Sequence, residues 1–261
     1  MCFFCSNPLT QKAAFEFNAR SVKQKQPMKK TPLRLLIVCT ASLFLASCGV
    51  VSEKVLTPER IAKIPEPFKS LVIQMRKEQK AVEARYTQGT KTMLKAYSTI
   101  ADAIGMKEEA ANLMVESMAL NAGSSLNDAR KAMSRSSGII KQVQRKIADS
   151  KGVTVASKAK FVEGVQIKNQ AYVVFANCGT DATLIAIKGT KALNSAIKSK
   201  DYFSIPLITA SFDPAVYMLR DIPKFLSAQR TFNESCIEFA KVQKISLPPA
   251  NLPTPKFNID I

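Results

Sequence analysis

The chain has 261 residues, with 38 Lys and Arg against 20 Asp and Glu and a net charge of +18, and it contains neither histidine nor tryptophan. Without histidine it lacks the commonest general base, the usual catalytic triads and the commonest zinc and haem ligand. We therefore predict a protein that is not an enzyme and that uses no cofactor and no metal.

The first predicted element is a secretory signal peptide over residues 28–47. A cationic segment, residues 28–34, precedes an apolar run, residues 35–45, and the small pair Ala46-Ser47 follows. This order is typical of an exported leader, and polar residues dilute the stretch too much to favour a transmembrane helix. We expect residues 1–27 to be a misassigned translation start, with Met28 as the true one, or a disordered leader.

Leu45-Ala46-Ser47-Cys48 resembles the lipobox of bacterial lipoproteins, in which an aliphatic and two small residues precede a cysteine. The resemblance covers residues 28–48 only. It implies that Cys48 receives lipid, including palmitate-type acyl chains, and becomes the first residue of the mature protein. By the sorting rule of that family, Gly49 in place of Asp after the cysteine implies the outer membrane, with the domain facing the periplasm.

Residues 48–67 are predicted to be a tether, since prolines block a continuous helix there, although Thr57-Pro58-Glu59 can begin a short turn. Seven of the basic and one of the acidic residues precede Cys48, so the mature part keeps a net charge of +12. This charge would attract anionic envelope surfaces, but an ordinary solvated face is the simpler interpretation. We expect the membrane as a partner through Cys48, an envelope protein as a possible second partner, and no nucleic acid.

Apolar residues at helical intervals predict four helices after the tether. The first is long and amphipathic, with fraying at Gly89, and the fourth contains the least polar segment of the mature part, residues 171–187. Small residues in this fourth helix, including Gly189, would let another helix approach closely. The predicted bounds are 68–105, 107–121, a cap at Ser124 or Ser125 followed by a helix to 150, and 155 to about 200.

The C-terminal part is predicted to be a loop or short turn over residues 203–212, followed by a last helix. Asp213-Pro214 has the sequence of a helix start, with a capping residue before proline. Phenylalanines recur every seven residues in this helix, which predicts a packing stripe. Pro223 predicts a kink or a break into two helices, and residues 247–261 read as an extended, proline-rich tail.

Cys178 and Cys236 are the two cysteines left once the leader, the signal and Cys48 are set aside. Both lie on predicted apolar faces, and an exported protein tends to pair its thiols. We therefore predict a disulfide that joins the last helix to the central one. Asp181 is the one acidic residue in the apolar segment, and we favour a buried ion pair or a helix-end role over a ligand contact.

Other residues with chemical potential have simpler explanations. Two Ser-x-x-Lys matches, Ser157 with Lys160 and Ser195 with Lys198, lack the companion motifs of penicillin-binding enzymes. Glu108, Glu109 and Glu116 fit a helix start, and the methionines at helical spacing fit a core.

The sequence as a whole predicts an all-α protein, a bundle of four to six helices over residues 68–246, with a long N-terminal helix and a kinked C-terminal helix. We expect a lipid-anchored envelope lipoprotein whose domain has a non-catalytic interaction or structural role. The alternative is a periplasmic carrier that holds an apolar or anionic envelope ligand between its helices near residues 171–187. The sequence does not indicate the oligomeric state.

Overall fold

The computed structural model describes residues 55–149, 157–249 and 252, all within one compact unit, Leu45–Ile261. The predicted leader, the signal peptide, Cys48 and most of the predicted tail lie outside these residues. Helices and no strands occur in the described ranges, which confirms the all-α prediction. The helices are α1 Pro58–Ala62, α2 Phe68–Ala103, α3 Lys107–Ala119, α4 Leu126–Ala148, α5 Lys158–Lys198 and α6 Ser204–Val242.

Three long helices, α2, α5 and α6, form the centre of the bundle. Helices α2 and α5 are antiparallel, because Gly164 packs against Ile100 near one end and Lys188 pairs with Glu78 towards the other. Helix α6 returns antiparallel to α5 and therefore runs parallel to α2. Their contacts include three aromatic pairs with ring centroids 4.4–5.1 Å apart: Phe161–Phe239, Phe175–Phe225 and Tyr97–Phe232.

Helices α3 and α4 cover one side of α2. Buried serines fix α3, since Ser98 donates to the carbonyl oxygen of Ala110 at 2.7 Å and Ser117 to that of Lys91 at 2.9 Å. The predicted cap of α4 is Ser125, which forms a capping box with Asp128. Helix α4 is amphipathic: it buries Ala129, Ala132, Val143 and Ile147.

The described part of the predicted tether packs against the bundle. Thr57 caps α1 as the sequence indicates, and Leu56, Ile61 and Ile64 are all at least 93% buried. Arg76 of α2 donates to the carbonyl oxygen of Leu56 at 3.0 Å. The folded domain therefore begins by Leu56, well before the start of α2.

Helix α6 differs most from the sequence prediction. It begins at Ser204 rather than Asp213, so the predicted loop over residues 203–212 is helical and Pro214 and Pro223 lie inside one helix. Pro206 lies in the first turn, where backbone N–H groups have no partner within the helix. Leu207, Ile208 and Phe212 are buried, and this burial outweighs the local signal of Asp213-Pro214.

Helix α2 is likewise continuous through Gly89, where fraying was expected. A Cβ atom at this position would lie 3.1 Å from Val174 Cγ1 of α5. The glycine thus lets α5 pack closely and does not end the helix. Among the helices of the described ranges, none has the length and apolar content that crossing a bilayer requires.

Candidate functional site

The predicted disulfide is not formed. Cys178 and Cys236 are both free and fully buried, and Cys178 Sγ lies 3.9 Å from the carbonyl oxygen of Val82. The reason is the register of α5 and α6. Because Phe161 faces Phe239 and Phe175 faces Phe225, Cys236 lies level with the N-terminal part of α5. It is displaced by about 14 residues, or about 21 Å of helix, from Cys178.

Burial governs the chemistry of both thiols. It raises the pKa of Cys178 and of Cys236 to about 12. Since the thiolate is the reactive form of cysteine, both side chains are inert at neutral pH in the folded protein.

Asp181 forms the predicted ion pair, although the pair is not buried. Its Oδ2 atom lies 2.6 Å from Nη2 of Arg85 on α2, and the side chains are 34% and 50% exposed. Asp181 therefore links α5 to α2 at the surface of the bundle.

The remaining residues that were considered for catalysis have structural contacts. The hydroxyl of Ser157 accepts from the backbone N–H of Lys160 and caps α5, while the Lys160 amine pairs with Asp102. Ser195 donates to the carbonyl oxygen of Lys191.

The carboxylates considered with them are also accounted for. Glu108 and Glu109 lie in the first turn of α3, and Glu116 accepts two hydrogen bonds from Arg135. Within the described ranges, no three His, Cys, Asp or Glu side chains are grouped as a metal site requires.

Lys168 is a buried amine that the sequence analysis missed. Its side chain is fully buried in α5, and its Nζ atom has no hydrogen-bond partner in the described part of the chain. Burial lowers its pKa to about 8, and the Cys236 thiol is nearby. A lysine with a lowered pKa can act as a base or nucleophile. Full burial leaves no path for a substrate, so we interpret Lys168 as a core residue whose buried, unpaired amine lowers the stability of the fold.

A polar cleft of about 420 Å³ lies where α3 meets α4. Its lining includes Asp128, Lys131 and Arg135. Asp128 is engaged in the capping box and Arg135 in the pair with Glu116. Two of the three charged side chains of this cleft, Asp128 and Arg135, thus already have structural roles.

The most exposed aromatic side chains among the large apolar residues lie where α5 ends and the chain connects to α6. We call residues 197–203, the last two residues of α5 and the connection, the α5–α6 turn. Tyr202 is 67% exposed, Phe203 49% and Ile197 42%. Two lysines, Lys198 and Lys200, belong to the same seven residues. Exposed apolar side chains that lie together on a surface can mark an interaction site.

Local hydrogen bonds hold the α5–α6 turn in shape. Lys200 adopts a left-handed conformation with φ of 59° and ends α5. The carboxylate of Asp201 then accepts from the backbone N–H and the hydroxyl of Ser204 at 3.2 and 2.6 Å. The turn is therefore a defined surface with both rings at its outer side.

The α5–α6 turn lies at the end of the bundle where the chain enters the domain. Lys188 contacts Glu78, and Ser211 contacts Met75, so the C-terminal end of α5 and the N-terminal ends of α2 and α6 are together. The carbonyl oxygen of Leu56 is bound by Arg76 in the same region. We call this the entry end of the bundle.

The described fold is thus an all-helical bundle with a packed centre and an exposed aromatic turn at its entry end. Comparison of the chain with protein-family models, with curated proteins and with solved structures gives no match.

Proposed function

We propose that the protein is a lipid-anchored envelope lipoprotein, held at the outer membrane by acyl chains on Cys48 and facing the periplasm. Its helical domain has a non-catalytic role in interaction or structure. The observation that carries this proposal is the lipobox-like segment Leu45-Ala46-Ser47-Cys48, which follows a signal-like leader and lies a few residues before the described helical domain, which starts at Val55. Two or three acyl chains would hold the protein far more firmly than one.

The packing of the central helix supports an interaction or structural role over a carrier. A carrier needs an apolar cavity of a few hundred cubic ångströms. The segment in which such a cavity was expected is filled by side chains, because Tyr172, Phe175, Cys178 and Ala182 are fully buried. The cleft between α3 and α4 is polar and lies elsewhere.

The anchor is tested by metabolic labelling with a palmitate analogue in bacteria that produce the full chain. Cys48→Ala should abolish the label, whereas Cys39→Ala should retain it, because Cys39 lies in the apolar run of the predicted signal peptide and is not the acceptor. Intact-mass analysis should give residues 48–261 plus acyl chains, and cell fractionation should place this species in the outer membrane. An unprocessed chain without lipid would exclude the proposal and return residues 35–52 to the status of a transmembrane helix.

A further inference from the structure

We propose that the α5–α6 turn is a second membrane contact, in which Tyr202 and Phe203 lie at the headgroup level of the bilayer and Lys198 and Lys200 face anionic lipid. The occupant of this surface is the membrane that carries the anchor. The inference rests on the proposed function, because it uses Cys48 as the site of lipid attachment.

The short spacer between Cys48 and the domain is the first argument. Only six residues lie between Cys48 and Val55, and the seven residue steps span at most about 25 Å when fully extended. Leu56 is fixed to Arg76 at the entry end. Lipid on Cys48 therefore keeps the entry end of the bundle near the bilayer, and the α5–α6 turn lies at that end.

The chemistry of the exposed side chains is the second argument. Tyrosine is enriched at membrane interfaces because its ring is apolar and its hydroxyl stays hydrated. Tyr202 is 67% exposed and Phe203 49%, so both rings present apolar surface to the solvent. At the interface these rings lose their contact with water without leaving their positions in the turn.

Charge complementarity is the third argument. Anionic lipid headgroups attract basic residues within a Debye length of the surface. Lys198 and Lys200 belong to the turn, and its one acidic residue, Asp201, is bound to Ser204. At α1 and its flanks the exposed charges balance, with Arg60 and Lys63 against Glu59 and Glu66. The α5–α6 turn is therefore the part of the entry end that offers cations and apolar rings to an anionic bilayer.

The absence of tryptophan from the chain makes a direct test possible. The variant Tyr202→Trp places a single fluorophore in the turn, and Val242→Trp places one at a 56% exposed position at the far end of α6. Forty residues, nearly all of them in α6, separate the two positions, which corresponds to about 60 Å of helix. Each acylated variant is purified from membranes and reconstituted into vesicles of phosphatidylcholine with about one third phosphatidylglycerol, with or without brominated acyl chains.

We expect blue-shifted emission and at least about twofold stronger bromine quenching for the tryptophan at position 202 than for that at position 242. Equal and weak quenching at both positions would overturn the inference and favour a protein as the partner of the turn. Equal and strong quenching would also overturn it, because the bundle would then lie flat on the membrane. Phe203→Trp gives a second reporter in case the first variant folds poorly.

The role of charge is tested in the Tyr202→Trp background by Lys198→Gln with Lys200→Asn. Asparagine tolerates the left-handed backbone at position 200, so the turn is kept. Quenching should fall in the anionic vesicles, and Lys241→Gln at the far end should leave it unchanged. Intact mass of the same preparation separates the two proposals: a chain without acyl groups overturns the anchor and the turn contact together, whereas an acylated chain with a solvent-exposed residue 202 overturns the turn contact alone.

Discussion

The ring of Phe212 on α6 fills the space that a side chain on Gly189 of α5 would need. A Cβ atom at Gly189 would lie 2.2 Å from Cδ1 and 2.3 Å from Cγ of Phe212. The missing side chain is what allows α5 and α6 to meet this closely near the entry end. Phe212 is itself 93% buried, so the ring has little room to move away.

Gly189→Ala should therefore destabilise the protein by about 1–3 kcal/mol, the usual cost of an overpacked core. Gly138→Ala is the matched control, because Gly138 lies inside α4 and has no atom within 4 Å of its Cβ position. That change should stabilise the protein by about 0.5–1 kcal/mol through helix propensity alone. Urea denaturation followed by circular dichroism measures both, and equal effects of the two substitutions would contradict the close contact.

Lys168 should reduce the stability of the protein at neutral pH. The unfolded state binds a proton to this amine below pH of about 10.5, whereas the folded state does so only below about 8. Between these values the unfolded state holds more protons, so the contribution of Lys168 to stability rises with pH, by about 3 kcal/mol in total. Below pH 8 the amine is protonated in both the folded and the unfolded state, so the full cost of burying its charge remains.

Lys168→Met keeps most of the side-chain stem and removes the charge, so at pH 7 it should raise the free energy of unfolding by about 1–3 kcal/mol. The gain should shrink as the pH approaches 10.5. The gain must be measured as the difference between the variant and the wild type at each pH. The raised pKa values of Cys178 and Cys236 make the stability of both proteins fall with pH above about 9, which opposes the effect of Lys168 in the wild type. A gain that does not change with pH would refute the assignment, and the exposed Lys141→Met should be neutral.

The sequence predicted helices α2 to α5 well because each has a local signal at its ends. Ser125 caps α4 as predicted, and Gly105 has the positive φ of 81° that suits the end of a helix. Ser157 caps α5, whose first residue, Lys158, lies three residues after the predicted start at 155. The predicted start of α6 was wrong because Asp213-Pro214 is an equally good local signal for the start of a helix. The burial of Phe212 against Gly189 is a contact across helices that local patterns do not contain.

The candidate site was predictable only in part. Helical periodicity indicates which face of a helix is apolar, and it placed Cys178 and Cys236 correctly in the interior. It does not indicate how far along a neighbouring helix a residue lies, so the displacement between the two thiols was not visible. Tyr202 and Phe203 gave no signal either, because rings in a turn have no periodicity that separates exposed from buried positions.

Both interior cysteines should be present as free thiols in the processed protein. Thiol reagents should not react with the native chain at neutral pH, because burial keeps both groups protonated, and should label two sites per chain in denaturant without reductant. Cys178→Ala should lower that number to one. Labelling that requires prior reduction would restore the disulfide and contradict the register of α5 and α6.

Asp181 should contribute no more to the free energy of unfolding than other residues in exposed ion pairs do. The chain contains a matched ion pair for comparison, Asp102 with Lys160, which also joins α2 to α5. The side chains of Asp102 and Lys160 are 35% and 47% exposed, and those of Asp181 and Arg85 are 34% and 50% exposed. Exposed pairs contribute about 0–1 kcal/mol and weaken with salt. Asp181→Asn and Asp102→Asn should therefore each cost less than about 1 kcal/mol, and the costs should converge towards zero in high salt. A much larger loss for Asp181→Asn than for Asp102→Asn, or one that persists in high salt, would show that Asp181 has a contact beyond Arg85.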